Sequence, residues 1–67
     1  MTTAEKLRAI VASEEGKRRY CAVIGEAQAA GIRASKAAKA NGASSHEANL
    51  TGEAARDAAL LRLLGAE

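Results

Sequence analysis

The chain has 67 residues and a formal net charge of +2, and 48% of its residues are hydrophobic although only one, Tyr20, is aromatic. The single cysteine excludes an internal disulfide, and no apolar run approaches the ~20 residues of a membrane-spanning helix. This composition excludes an aromatic-rich β-sandwich and a disulfide-stabilised miniprotein, and the charge is too small to predict nucleic-acid binding by itself.

Alanine dominates the hydrophobic fraction: 18 residues are Ala, and only 11 are Leu, Ile or Val. So few large side chains cannot enclose a substrate pocket, and domains of this size commonly depend on disulfides, metals or partners for stability. We therefore expect a protein partner or self-association. The lone thiol, the start at Met1 and the lack of an apolar leader predict a free-standing cytoplasmic protein.

The N-terminal residues predict a short first helix over roughly residues 3–12. Thr2 and Glu5 have the spacing of a capping box, in which each side chain accepts a hydrogen bond from the other residue's backbone amide. Leu7, Ile10 and Val11 then recur at helical spacing.

A second helix is predicted to begin after Ser13, whose hydroxyl is a good N-cap. Glu14 and Glu15 suit the positive end of the helix dipole, and each has an arginine four residues later, Arg18 and Arg19. We expect two ion pairs at this i,i+4 spacing.

The rest of this helix carries an apolar stripe of Tyr20, Val23, Ile24 and Ala27. Gly25 lies within the stripe and is interpreted as a point of close approach to another helix.

The end of the second helix has two alternatives. Gly31 is either a left-handed C-cap followed by the apolar Ile32, or the Ala-rich helix continues to the strong stop at Asn41 and Gly42.

Residues 42–49 are small and polar and predict a surface loop. The last helix is then expected to begin with Thr51 as N-cap, to carry Glu53 and Asp57 in its first turns, and to end at Gly65.

These elements predict an all-α fold, a small bundle of three or four short helices that forms one domain over residues 1–67. The predicted core consists of Leu7, Ile10, Val11, Tyr20, Val23, Ile24, Ala27, Leu50, Leu60, Leu61 and Leu64.

Two groups of residues are candidates for partner binding. Four leucines crowd the last turn over more than one helical face, so we expect them to form an apolar anchor. Basic residues are expected to form a charged rim that sets orientation. The anchor is Leu60, Leu61, Leu63 and Leu64, and the rim is Arg18, Arg19, Arg33, Lys36 and Lys39.

The sequence contains no zinc-ligand spacing, phosphate-binding glycine loop or nucleophile elbow. His46 and Cys21 are interpreted as a solvated loop residue and a helix-edge packing residue. We therefore expect no enzymatic activity, no cofactor and no small-molecule substrate.

Residues 6–19 (KLRAIVASEEGKRR) and 50–61 (LTGEAARDAALL) together resemble the C-terminal tail of bacteriophage capsid-maturation proteases. Those tails carry an R-x-I…S-x-E-A-x-G-R-like segment and then a helix that opens with Ser/Thr-x-Glu-x-Ala. The resemblance implies a phage origin and docking on other assembly proteins. It implies no protease activity, because the catalytic domain has no counterpart here.

Residues 27–40 (AQAAGIRASKAAKA) resemble a helix-turn-helix unit. In that family a small Ala precedes the turn Gly by four residues and an aliphatic follows it, which matches Ala27, Gly31 and Ile32. The resemblance implies a recognition helix that carries Arg33, Lys36 and Lys39.

The favoured function is a non-catalytic helical protein–protein interaction module, phage-encoded, that acts as an assembly factor or as a small steric inhibitor of a host complex. The alternative is a helix-turn-helix DNA-binding regulator that uses the Arg33, Lys36 and Lys39 helix. No membrane partner is expected.

Overall fold

The computed structural model describes residues 1–66, which form three helices and no strand. The helices are α1 (Thr3–Val11), α2 (Glu14–Ala40) and α3 (Ser45–Leu63). Helices α2 and α3 form an antiparallel hairpin, α1 packs at its open end, and the molecule measures 40 × 23 × 16 Å. The predicted all-α small bundle is therefore confirmed.

The starts of α1 and α2 follow the predicted capping chemistry. The Glu5 amide donates to Thr2 Oγ1 and the Thr2 amide donates to Glu5 Oε1, both at 3.2 Å. The Gly16 amide donates to the Ser13 hydroxyl at 3.0 Å. These bonds satisfy amides that the first helical turn leaves without partners.

The N-cap of α3 lies seven residues before the predicted cap at Thr51, so the prediction of a loop over residues 42–49 is largely wrong. Ser44 is the N-cap and accepts from the Glu47 amide at 3.1 Å, whereas Thr51 lies inside the helix and donates to the Glu47 carbonyl at 3.0 Å. Both positions have capping chemistry. Helix α3 begins after Ser44 and not after Thr51, because the earlier start places the completely buried Ala48 in the helix that packs against α2.

Helix α2 runs unbroken through Gly31 to the predicted stop at Asn41 and Gly42. The interpretation of Gly31 as a C-cap is therefore wrong, and the turn that a helix-turn-helix unit requires is not formed. Gly42 has a φ of +94° and reverses the chain between α2 and α3.

The closest approach of the two long helices is at Gly31 and Gly52. A Cβ atom on Gly31 would lie 2.8 Å from the Gly52 carbonyl oxygen, and a Cβ on Gly52 would lie 2.9 Å from that of Gly31. The two backbones are thus in contact, with no room for a side chain between them. Gly25, which we expected to make this approach, is exposed and has open space around it.

The core is thin because the hairpin is packed mainly through small residues. Ala27 and Ala48 are completely buried, and Leu60, at 1% exposure, is the only large side chain of the described residues that is fully buried. Leu50, which we predicted to lie in the core, is 53% exposed, so that prediction is wrong. The half-buried side chains against the cluster of Ala27, Ala59 and Leu60 are Leu7, Tyr20, Val23, Ile24 and Ala30.

The predicted i,i+4 ion pairs of α2 are absent from the described part of the chain. Glu14 instead pairs with Lys17 at 3.4 Å between two exposed side chains. Arg19 turns away from Glu15, and its Nη2 donates to the Leu64 carbonyl oxygen at 2.6 Å. This bond satisfies a carbonyl at the end of α3. Arg19 therefore links the first turns of α2 to the C-terminal end of α3.

Candidate interaction surface

The two glycines leave a shallow depression on one side of the hairpin, with an open volume of about 330 Å³. We call it the notch. Its floor includes the backbone of Gly31 and Gly52, where the two helices are in contact. It is lined by Gln28, Gly31, Ile32, Ser35, Asn49, Gly52, Glu53 and Arg56.

Apolar side chains are exposed at this end of the hairpin. Ile32, which lines the notch, is 57% exposed, and Leu50, which follows Asn49 on α3, is 53% exposed. Together with the terminal Met1 they are the large hydrophobic side chains most exposed to solvent in residues 1–66. A single exposed aliphatic is ordinary, but an exposed aliphatic at the edge of an open notch is typical of binding surfaces.

Charge is unevenly distributed around the notch. The segment from residue 27 to residue 46 contains no Asp or Glu, and its three cations, Arg33, Lys36 and Lys39, are all exposed. Across the hairpin, α3 carries Glu53, also exposed. Among the described residues these four side chains make no ion pair. The notch therefore borders a stretch of α2 whose charges are all basic, whereas α3 contributes both Glu53 and Arg56 to its lining, and Arg56 pairs with Asp57 at 3.3 Å.

The predicted apolar anchor is not a surface feature, so this prediction is wrong. Leu60 and Leu64 are buried, at 1% and 5% exposure, and Leu61 and Leu63 are half-buried. These leucines supply the core that the alanines cannot supply, because α1 packs against the same end of the hairpin. They are not available to a partner as a cluster.

The predicted basic rim is exposed but divided. Arg18 is separated from Arg33 by 15 residues, or about 22 Å along the helix. Arg19 is engaged with the Leu64 carbonyl. Arg33, Lys36 and Lys39 lie on the C-terminal half of α2, as the notch does, but none of the three lines the notch.

The remaining titratable groups form no second site. His46 is exposed in the first turn of α3, and Cys21 is exposed on α2. Nowhere in residues 1–66 do three His, Cys, Asp or Glu side chains come together as metal ligands would. No helix in the same range has an apolar stretch of the length that crosses a bilayer.

The sequence signal for the notch is a repeat of small residues on both long helices. Small residues recur every four positions as Ala27, Gly31 and Ser35 on α2, and Ala48 and Gly52 follow the same spacing on α3. Residues four apart share one face of a helix, so each helix carries a strip that allows close approach. What sequence alone does not give is which strips face each other.

Comparison of the chain with protein-family models, with curated proteins and with solved structures gives no match.

Proposed function

We propose that the protein is a non-catalytic helical interaction module that binds another protein chain through the notch and the apolar side chain at its edge. The observation that carries the proposal is the combination of an open notch with the exposed side chain of Ile32. Both features lie on the rigid α2–α3 hairpin, and a surface presented by helices keeps its shape on binding.

Binding through this surface is steric and apolar at its centre. A partner side chain that enters the notch lies against the line where α2 and α3 meet at Gly31 and Gly52. The polar groups of Gln28, Asn49 and Glu53 surround the notch and can exchange water for partner hydrogen bonds. This arrangement of an apolar centre and a polar rim is the usual anatomy of a protein–protein interface.

The resemblance of residues 6–19 and 50–61 to capsid-protease tails favours one setting for this activity. In that setting the protein is phage-encoded and serves as an assembly factor, or it inhibits a host complex by covering a surface. Both roles need only a folded module with one binding face, and neither needs a catalytic group.

The test compares proteins captured by the immobilised chain from a lysate of the cells that carry its gene. We expect Ile32→Asp to reduce capture of specific partners by at least about tenfold, because a charge at the centre of an apolar interface is left desolvated. Ala22→Asp adds the same charge at another exposed position of α2 and should leave capture unchanged. Equal capture by wild type and Ile32→Asp contradicts the proposal.

A second candidate function is contact with nucleic acid, favoured by the acid-free segment 27–46, whose three cations make no ion pair within residues 1–66. Because α2 has no turn at Gly31, this contact differs from that of a helix-turn-helix unit: the cations of an intact helix would neutralise phosphates without reading base edges.

Fluorescence anisotropy with a duplex of mixed sequence tests this candidate at low salt. Three phosphate contacts predict that the logarithm of the affinity falls with the logarithm of the salt concentration with a slope of about −3. Replacing both Lys36 and Lys39 with Glu should abolish binding, whereas Arg62→Glu, an exposed change on α3, should not. Absence of binding at low salt rejects the candidate.

A further inference from the structure

The isolated chain exposes more surface than a compact monomer of its mass. Its accessible area is 4484 Å², whereas a folded monomer of 6.9 kDa has on average about 4,000 Å². The excess accompanies a core with one fully buried large side chain, Leu60. A chain that buries so few large side chains gains stability from any association that covers its exposed apolar groups.

The notch and the exposed Ile32 at its edge form what we call the notch face. This face carries both halves of a self-complementary contact. The depression at Gly31 and Gly52 is open to solvent, and Ile32 is an exposed side chain at its edge. A two-fold axis that passes near Ile32 places each copy's isoleucine in the other copy's notch. Contacts of this reciprocal kind define an isologous dimer interface.

The charges beside the notch are complementary between copies. Lys36 lies one turn beyond Ile32 on the acid-free part of α2, and Glu53 lines the notch on α3 together with Arg56, which pairs with Asp57. Neither Lys36 nor Glu53 makes an ion pair within residues 1–66. When two copies face each other, Lys36 of each copy lies near Glu53 of the other. These two contacts between opposite charges favour a second copy over a partner of uniform charge.

A standard interface takes about 800 Å² from each partner, which is less than a fifth of the 4484 Å² that the isolated chain exposes. From these observations we infer that the chain forms a symmetric homodimer through the notch face, with Ile32 of each copy in the notch of the other. The inference rests on the proposed function, since it names a second copy as the occupant of the same surface.

Sedimentation equilibrium over concentrations from about 10 µM to about 1 mM tests the dimer directly. We expect the wild-type mass to rise toward twice the 6.9 kDa of one chain. Ile32→Asp should weaken self-association by at least about tenfold without loss of helical circular dichroism, because Ile32 is exposed in the monomer. Ala22→Asp should dimerise like the wild type.

A charge exchange tests the geometry of the interface. Lys36→Glu and Glu53→Lys should each weaken the dimer by about threefold to fivefold, and the double variant should recover the wild-type affinity. No recovery in the double variant contradicts the placement of these residues across the interface. A mass that stays at that of one chain at every concentration overturns the dimer altogether.

Different results contradict the proposed homodimer and the proposed binding of another protein. If the chain remains a monomer while Ile32→Asp still abolishes capture of other proteins, the notch binds a different partner and the inference of self-association is wrong. If the chain dimerises but Ile32→Asp leaves dimerisation unchanged, the notch is not the interface, and that also overturns the inference.

Discussion

Replacing Gly31 with alanine should destabilise the protein by about 1–2 kcal/mol, whereas the same replacement at Gly25 should stabilise it by about 0.5–1 kcal/mol. Both glycines lie inside α2, so both variants gain the ~1 kcal/mol by which alanine exceeds glycine in helix propensity. At Gly31 the added Cβ lies 2.8 Å from the Gly52 carbonyl oxygen and must separate the two helices. At Gly25 it meets open space.

Urea unfolding followed by circular dichroism at 222 nm measures both variants under the same conditions. Gly52→Ala should resemble Gly31→Ala, because its Cβ would lie 2.9 Å from the Gly31 carbonyl oxygen. If Gly31→Ala proves as stabilising as Gly25→Ala, the backbone contact between α2 and α3 is not present in solution.

Replacing Leu60 with alanine should lower the free energy of unfolding by about 2–5 kcal/mol. Leu60 is the only large side chain of residues 1–66 that is fully buried, so its truncation removes apolar contacts and leaves a cavity at the centre of the core. Domains of this length have total stabilities of about 3–10 kcal/mol, so the variant should be largely unfolded at moderate temperature.

Leu50→Ala is the matched control, since it makes the same chemical change on the same helix at an exposed position. We expect its effect on thermal unfolding to be within about 0.5 kcal/mol of zero. A loss at Leu50 as large as the loss at Leu60 would mean that α3 presents a different face to α2.

The local features of the fold could be predicted from sequence because they depend on neighbouring residues. The capping box of Thr2 and Glu5, the cap at Ser13 and the stop at Asn41 and Gly42 all follow from short-range hydrogen bonding and backbone freedom. The all-α class follows from the abundance of alanine and the absence of proline.

The predictions that were wrong concern features that depend on contacts between residues distant in sequence. Ser44 and Thr51 have equivalent capping chemistry, and only the burial of Ala48 against α2 decides between them. Gly25 and Gly31 are likewise indistinguishable as helix-interior glycines until the position of Gly52 is known. Tertiary packing therefore selects among local signals of equal strength.

The candidate site was misplaced for a related reason. In a chain with so few large side chains, a cluster such as Leu60–Leu64 is needed inside, so its concentration in sequence indicates a core and not a free surface. The surface that remains open lies instead beside the close contact of Gly31 with Gly52, next to Ile32, which the core does not bury.

Self-association through the notch can be followed residue by residue in a concentration series of ¹H–¹⁵N correlation spectra. If two copies meet at the notch, amide shifts should change with concentration at Gln28, Ile32, Asn49 and Glu53 and stay constant through α1. Spectra that do not change with concentration, or changes confined to α1 and the C-terminal turn of α3, would contradict it.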